Sequence, residues 1–465
     1  MKITSMGQSF FLDTNKGKEI LESGILLDLV AEIGYARFRE MGETTYPEIA
    51  KCIISKPVSS IYNNISGVMM RGTNHLLLLW PQSWFKSSII ESFIGYGRNK
   101  NYGLLPQNIR VCTPQSITPE KFRGSSYTEE GKEKLITPYP VKYDLISIDE
   151  LLAFLGAGEN SERMLNLVCS IIESGRGELD LVKTSRLTLE SIEEKYRNNF
   201  KLQEGGRVEY ETNTSLVLAC HYLDYRLMQI FKTHGMLSRL TVQTWDADWT
   251  DKINLLKSLT DNNEPNLKGY LIEDVRSAFN IIYNMRFERV TQPPREYEKE
   301  CLNIVESRVN ALLDVGSGID PEDIINGRLS GVIKREIVYH AVVKQVERQG
   351  MKNKYEDIVY DDTDFDYIVK RMKRIIDSSI NLGMITKNKS TENIDVTSNS
   401  LENAVFNILS KSQTFKNVIV KQLNNVLGIS RQNIYRNIDK MISQQKIYAR
   451  QLSPEKTLLS LSKLD

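Results

Sequence analysis

The chain has 465 residues, with 60 basic and 59 acidic side chains and a net charge of +1. This balance excludes a strongly basic or acidic protein, so any surface for nucleic acid must be a local patch. The 5 cysteines are scattered without a C-x-x-C pair, which argues against structural zinc and favours reduced thiols in a cytoplasmic protein. The N-terminus has no signal-peptide pattern and no apolar run is long enough to span a membrane, so we expect no membrane contact.

The first 70 residues are expected to form a helical lead-in. Apolar residues recur at helical spacing between Gly17 and Gly42, with Gly24 as a break. One or two further short helices are predicted over residues 46–65. Nothing in this segment suggests chemistry, so its predicted role is to pack against the domain that follows.

A P-loop is predicted directly after the first buried strand. Leu76–Leu79 are typical of a parallel strand, and Lys86 opens an apolar segment typical of a helix. Phosphates would bind at the helix N-terminus, with Lys86 on the β- and γ-phosphates and the Ser87 hydroxyl on Mg²⁺. Trp80 and Phe85 occupy the two positions that are glycine in the motif G-x-x-x-x-G-K-[ST]. An ordinary strand–helix corner is the alternative. The predicted nucleotide-binding residues are Pro81, Gln82, Ser83, Trp84, Phe85, Lys86, Ser87 and Ser88.

A Walker B strand is predicted over residues 143–150, because this apolar run ends in two adjacent acids. Asp149 would hold Mg²⁺ through its water shell, and Glu150 would polarise the attacking water. The two segments have the order of the two halves of a phosphate site, which favours a binding site for ATP with Mg²⁺. The alternative is a surface strand that ends in a solvated acidic turn. Between the halves we predict a strand over residues 108–114 and a polar loop over 118–133.

The next segments are expected to complete the ATPase core. A helix is predicted over residues 161–175, a strand over 178–185 and a charged amphipathic helix over 188–203. A buried strand follows over residues 216–220, with His221 at its end. Polar residues at that position lie beside the γ-phosphate in many P-loop ATPases.

The C-terminal third is predicted to be helical and then to form a winged helix. Its recognition helix would be residues 431–445, followed by a two-stranded wing over 447–462. The outward side chains are of types that contact phosphates and base edges: Arg431, Gln432, Asn433, Tyr435, Arg436 and Lys440. A winged helix that binds protein is the alternative. The predicted domains are a lead-in (1–70), an ATPase core (71–292), a helical lid (293–384), a linker (385–400) and the winged helix (401–465).

Taken in this order, the segments resemble an AAA+ ATPase. The chain is most similar to the minichromosome-maintenance (MCM) replicative helicases, over roughly residues 45–465. Residues 80–87 match the family's G-D-P-G-T-A-K-S loop in length, and the family's I-D-E also ends the Walker B strand. The resemblance implies an α/β P-loop core with a helical lid and a C-terminal winged helix. The large N-terminal domain of the family is missing. The divergence of the chain from the family pattern suggests an origin in a mobile element such as an archaeal plasmid or virus.

The resemblance also assigns roles to single residues. His221 stands where the family has its sensor-1 Asn, and Arg239 matches the arginine finger that reaches a neighbouring subunit. Arg328 begins the helix that resembles sensor 2, and Lys183 lies on the hairpin that contacts DNA in the pore. The implied catalytic residues are Glu150, Asp149, Arg239, His221 and Arg328.

These observations predict a ring-forming, DNA-dependent ATP hydrolase. We expect a homo-hexamer that acts as a DNA helicase in replication. Two other interpretations stay open. One is a non-translocating initiator or loader that uses ATP as a switch. The other is a degenerate ATPase retained as a structural DNA-binding protein, and the missing P-loop glycines favour it.

Overall fold

A computed structural model gives the fold. It describes residues 14–59, 62–65, 68–80, 84–95, 103–113, 119–130, 132–155, 159–180, 189–202, 207–221, 240–245, 249–259, 264–314, 329–387, 396–411, 413–427, 431–453 and 456–461.

The described part of the chain alternates strands and helices through its first half and is mainly helical after residue 295. The strands are β1 (Tyr62–Ile65), β2 (Val68–Arg71), β3 (Leu76–Trp80), β4 (Val111–Cys112), β5 (Ser125–Glu129), β6 (Lys132–Ile136), β7 (Leu145–Ile148), β8 (Arg176–Asp180), β9 (Phe200–Leu202), β10 (Arg207–Glu211), β11 (Ser215–His221), β12 (Thr241–Thr244), β13 (Arg286–Phe287), β14 (Lys354–Tyr355), β15 (Thr414–Phe415), β16 (Tyr448–Ser453) and β17 (Lys456–Ser460).

The helices vary in length from 4 to 29 residues. They are α1 (Thr14–Glu22), α2 (Leu26–Ile54), α3 (Lys86–Ile94), α4 (Pro119–Arg123), α5 (Tyr139–Lys142), α6 (Leu151–Leu155), α7 (Glu159–Ser174), α8 (Trp249–Leu259), α9 (Ile272–Asn284), α10 (Arg295–Asp314), α11 (Leu329–Gln349), α12 (Asp362–Lys387), α13 (Val396–Lys411), α14 (Lys416–Leu427) and α15 (Arg431–Ser443). Within the described ranges, none of these helices has both the length and the apolar character that crossing a bilayer requires.

A five-stranded parallel sheet forms the centre of the fold, with the strand order β12-β3-β11-β7-β4. The chain therefore places β11 between β3 and β7, although it follows both in sequence. Because the strands are parallel, their carboxyl ends all meet at one edge of the sheet. The fold is thus α/β, as the sequence predicts at this coarse level.

Both faces of this sheet are buried. In β3, Leu76, Leu78 and Trp80 pack on one side against α2, α3 and α9. Leu77 and Leu79 point to the other side, where α7 covers the sheet. This alternation explains the unbroken apolar run in β3, since a strand with two buried faces has no position for a polar residue.

Three stretches differ from the sequence-based expectation. Residues 62–65 form β1 of a hairpin with β2 rather than a helix. The expected polar loop over 118–133 contains α4 and the first strand of the hairpin β5–β6. The expected helix over 188–203 instead gives the short 3-10 helices Leu189–Ser191 and Glu194–Asn199, followed by β9. Here tertiary packing overrides the local pattern, since Phe200 and Tyr210 are paired on neighbouring strands with their ring centres 6.0 Å apart.

A buried cluster of charges joins the helical unit, formed by α10, α11 and α12, to the core. The ammonium of Lys51 in α2 lies 2.8 Å from Glu48 and 2.5 Å from Glu336 of α11. Arg371 of α12 pairs with both carboxylates, at 3.2 Å from Glu336. All four side chains are at most 12% exposed. Two acids and two bases cancel, so the helices can pack closely with the charges inside.

The C-terminal unit packs on this helical unit. Ile333 and Ile337 of α11 share one apolar cluster with Ile419 and Leu423 of α14. The unit itself has the order α13-β15-α14-α15-β16-β17, and its sheet has the strand order β15-β17-β16. Helices α12 and α13 occupy both ends of the predicted linker over 385–400, whose middle lies outside the described residues.

One arginine fixes the base of the antiparallel sheet β8-β10-β9 to the core. The guanidinium of Arg71 donates to the backbone carbonyl of Thr212 at 2.6 Å, to that of Ser174 at 3.1 Å and to the side chain of Asn213. Gly175 adopts a φ of +64°, and a Cβ there would lie 1.1 Å from this guanidinium. The glycine is therefore required both by its left-handed backbone and by the arginine beside it.

We predict that Gly175→Ala loosens this sheet. The new methyl group must displace Arg71, which leaves carbonyl groups unpaired and costs about 1–3 kcal/mol. Hydrogen exchange should show faster exchange in residues 176–180 and 207–211 than in the unmodified protein. Gly350→Ala is the matched control, because its φ is +71° but nothing lies within 4 Å of the added Cβ. Equal effects of the two substitutions would contradict the role of Arg71.

Candidate nucleotide site at the carboxyl edge of the sheet

Lys86 opens α3 directly after the loop that follows β3. Phe85 precedes it with a φ of +54°, the left-handed conformation for which glycine is usual. The P-loop motif has glycine at this position, so the backbone has the expected shape although the residue differs. Backbone N–H groups in the first turn of a helix have no acceptor within the helix, and Ser87 and Ser88 are exposed there. An anion can therefore approach this end of α3.

The side chain of Lys86 reaches back to the end of β3. Its ammonium donates to the carbonyl of Trp80, the last residue of β3, at 3.2 Å. Burial lowers the pKa of Lys86, while Cys220 and Glu150 act in the opposite direction. The ammonium group thus lies near the ends of three elements, β3, β11 and β7. The structure brings the two predicted half-sites together at one edge.

The acidic half-site follows β7. Asp149 accepts a hydrogen bond from the hydroxyl of Ser147 at 3.0 Å. Burial raises the pKa of Asp149, and the hydrogen bond from Ser147 partly offsets this rise. Glu150 is exposed, and its backbone carbonyl accepts the N–H of Phe154 at 3.1 Å in α6. One half-buried and one exposed carboxylate therefore stand side by side at the sheet edge.

The backbone of His221 completes this edge. It is level with Trp80 in the parallel pair of β11 and β3, between the lysine half and the acidic half. Cys220, one residue earlier, is buried on the α7 side of the sheet. The sequence did not single out this thiol, although its position before His221 in an apolar strand places it beside the site.

Several predicted site residues lie outside the described part of the chain. They are Pro81, Gln82, Ser83, Lys183, Arg239 and Arg328. The side chains of His221, Gln432 and Asn433 are likewise outside it, although their backbones belong to β11 and α15. Trp84 is buried and Phe85 half-buried, so these two contribute backbone rather than side chain to the edge.

The DNA-contacting residues that the sequence predicts in the C-terminal unit lie on α15. Ile434, Ile438 and Met441 face the core of the C-terminal unit. Arg431, Arg436 and Lys440 are exposed on its other sides. Tyr435 is exposed too, with the ammonium of Lys416 5.2 Å from its ring centre. The exposed surface of α15 is therefore basic and carries one aromatic ring.

The donor set at the sheet edge suits magnesium more than a transition metal. In the part of the chain that the structure describes, no group of three or more His, Cys, Asp and Glu side chains is placed to hold a metal ion. Ser87 and Asp149 offer oxygen ligands, and Mg²⁺ in nucleotide sites takes one or two protein oxygens with phosphates and waters. The residues present therefore fit a Mg²⁺ ion that binds together with a nucleotide.

Comparison with known proteins adds no assignment. The sequence matches no protein-family model and is significantly similar to no curated protein. The functional argument therefore rests on the site itself.

We predict that Asp149→Asn stabilises the ligand-free protein at neutral pH. The raised pKa means that the folded protein holds this proton more tightly than the unfolded chain, so stability is lost as the pH rises through the folded-state pKa. Asparagine keeps an acceptor for Ser147 without the charge. Calorimetry should show a melting temperature higher by roughly 1–2 °C at pH 7. The gain should vanish in acid, where the carboxyl group is protonated in both states; a gain independent of pH would count against this account.

Proposed function

We propose that this chain is an ATP-hydrolysing P-loop ATPase of the AAA+ type that acts on DNA. The observation that carries the proposal is the meeting of Lys86, Asp149, Glu150 and the end of β11 at one edge of a parallel sheet. Open parallel sheets bind ligands outside the carboxyl ends of their strands, where successive connections leave in opposite directions. In this sheet β12 lies on one side of β3 and all other strands lie on the opposite side.

Each residue at this edge would have a separate role in ATP hydrolysis. The first-turn N–H groups of α3 and the ammonium of Lys86 would bind the phosphates and stabilise the charge that develops on them. Ser87 and Asp149 would hold Mg²⁺, which neutralises phosphate charge when it is bound. Glu150 would orient the attacking water, since its carboxylate is exposed next to Asp149. His221 would contact the γ-phosphate from the strand between the two halves.

Assembly into a ring, expected as a homo-hexamer, is part of the proposal and rests on the resemblance to the MCM helicases. Arg239 and Arg328 would then act on the nucleotide of a neighbouring subunit.

DNA binding is proposed for two places. We propose that the C-terminal unit is a winged helix because its elements follow the order α13-β15-α14-α15-β16-β17. The basic surface of α15 would then contact the DNA backbone and base edges. The sheet β8-β10-β9 would carry a pore loop that includes Lys183. Its connection to β11 is only residues 212–214, which attaches the base of this sheet to the amino end of β11.

A second candidate is a structural DNA-binding protein without ATP turnover. The conformation of Phe85 favours it, because a non-glycine residue at φ +54° is held there by packing rather than by a nucleotide. Its half-buried ring contacts the apolar core beside α3. A third, a site-specific initiator, would turn over ATP slowly and protect a defined DNA sequence.

We predict ATP hydrolysis that rises when single-stranded or duplex DNA is added. Lys86→Ala should lower turnover by about 100-fold or more, because it removes a charge aimed at the phosphates. Glu150→Gln should abolish turnover while nucleotide still binds. Lys18→Ala is the control, since this lysine lies on the exposed side of α1 in an ion pair with Glu22. Steady-state phosphate release measures all four proteins, and the absence of turnover with intact DNA binding would favour the structural candidate.

A further inference from the structure

A polar cavity of about 240 Å³ lies at the amino edge of the central sheet. Part of its lining comes from the points where three parallel strands begin, at Arg110 before β4, Asp144 before β7 and residues 212–214 before β11. The remaining lining residues belong to the segment 140–143 and to the 3-10 helix Glu194–Asn199. The cavity therefore lies between the beginnings of these strands and the helix that leads into β9.

This cavity is separate from the candidate nucleotide site. Asp144 precedes β7 and Asp149 follows it, so the two carboxylates are separated by the length of the strand, about 17 Å. A small ligand in the cavity would contact neither Asp149 nor Lys86.

The free side-chain groups around the cavity are mainly hydrogen-bond donors. Asp144 has the one carboxylate among the described lining residues, and it accepts from the backbone N–H, Nε and Nη2 of Arg110 at 3.0, 3.0 and 2.8 Å. The Nη1 group of Arg110 has no acceptor in the described ranges, and this guanidinium is 49% exposed. The side-chain oxygen of Asn213 accepts from Arg71, which leaves the amide N–H groups to donate. The ammonium of Lys195 is exposed as well. These groups suit an anion.

Positive charge exceeds negative charge around the cavity. The ammonium of Lys56 donates to the backbone of the lining segment 212–214 at 2.6 Å, and the guanidinium of Arg71 donates to the same segment. Together with Arg110, they place three cations beside the single carboxylate of Asp144. Burial lowers the pKa of Lys56 to about 8, with Arg110 and Arg71 adding to this shift and Asp144 opposing it. An anion in the cavity would balance the excess charge.

The cavity also has an apolar side. Pro140, Val141, Tyr143 and Tyr196 line it, and the ring of Tyr143 is half-buried. The ammonium of Lys195 lies 4.7 Å from the ring centre of Tyr196, so the cationic and apolar sides meet there. A ligand that matches both sides has an anionic group joined to a small apolar or aromatic group.

We propose that this cavity binds a small phosphate monoester. The phosphate would accept hydrogen bonds from Arg110, Asn213 and Lys195, and the organic group would lie against Tyr143. Arginine binds phosphate through N–H groups held in one plane, and the pairing with Asp144 fixes the orientation of the Arg110 guanidinium. The cavity is smaller than the roughly 300–1,000 Å³ of pockets for drug-sized ligands, which restricts the ester to a small organic group. The proposal does not depend on the function proposed for the carboxyl edge.

Calorimetric titration of the purified protein with phenyl phosphate tests the proposal. The unmodified protein should give a saturable isotherm, and inorganic phosphate should bind more weakly because it lacks the ring. Lys195→Gln should weaken the binding of phenyl phosphate by about threefold to tenfold, since it removes a charge-assisted contact. Lys201→Gln is the matched control and should bind as the unmodified protein does. Lys201 is similarly exposed and paired with Glu211 at 3.6 Å, but it does not line the cavity.

Asn213→Asp is the sharper variant. Aspartate keeps an acceptor for Arg71 but replaces the donor by a negative charge, so binding should fall by at least about tenfold without a lower melting temperature. Lys86→Ala should bind phenyl phosphate unchanged, because that lysine lies at the opposite edge of the sheet. Loss of binding in Lys86→Ala would overturn the proposal and would place the phosphate at the candidate nucleotide site instead.

Competition distinguishes two sources of the monoester. Displacement of phenyl phosphate by an oligonucleotide with a 5′-phosphate, but not by the same strand without it, would identify the end of a DNA strand. Displacement by neither would identify a free small ester.

Three results would overturn the proposal. They are no binding of phenyl phosphate, equal binding of phenyl phosphate and inorganic phosphate, and unchanged binding in Asn213→Asp. If that variant does not fold, crystals of the unmodified protein soaked in sodium tungstate decide. They should show an anomalous peak within contact distance of the Arg110 guanidinium, and absence of this peak would count against the site.

Discussion

Burial of β3 on both faces is the constraint on which the rest of the structure depends. Every side chain from Leu76 to Trp80 is 0% exposed, so helices must cover the sheet on both sides. Strands that are covered on both faces are typically parallel and rich in apolar residues. Only the strand ends remain for chemistry. The carboxyl edge receives Asp149 and Glu150 because they follow directly after β7, and Lys86 because it opens the helix that follows β3.

The balance of buried charges differs between the interior of the fold and the carboxyl edge of the sheet. In the interior, Lys51 and Arg371 are balanced by Glu48 and Glu336, which fixes α2 to the helical unit. At the edge, burial shifts the pKa of Lys86 down and that of Asp149 up, so both charged forms are disfavoured without a ligand. A nucleotide with Mg²⁺ would supply the missing charge to each. Such an unfavourable arrangement in the absence of ligand is common where proteins bind charged molecules.

The sequence was most informative where a long apolar run decides the structure. The strands β3, β7 and β11, the start of α3 at Lys86 and the acids after β7 all follow from local pattern. Prediction from the sequence failed where tertiary packing determines the local structure. Residues 188–203 have helical charge spacing, yet Phe200 pairs with Tyr210 in a sheet. The contact of Arg71 with the turn at Gly175 joins residues far apart in sequence. No local pattern records such contacts.

The most direct test of a nucleotide site at this edge is the binding of Mg·ATP itself. Isothermal titration calorimetry on the purified protein should give a saturable isotherm, and Lys86→Ala should weaken binding by at least about tenfold, since it removes a charge-assisted contact to phosphate. Lys18→Ala should bind as the unmodified protein does. Absence of binding, or equal affinity of the Lys86 variant, would contradict the assignment of this edge as the nucleotide site.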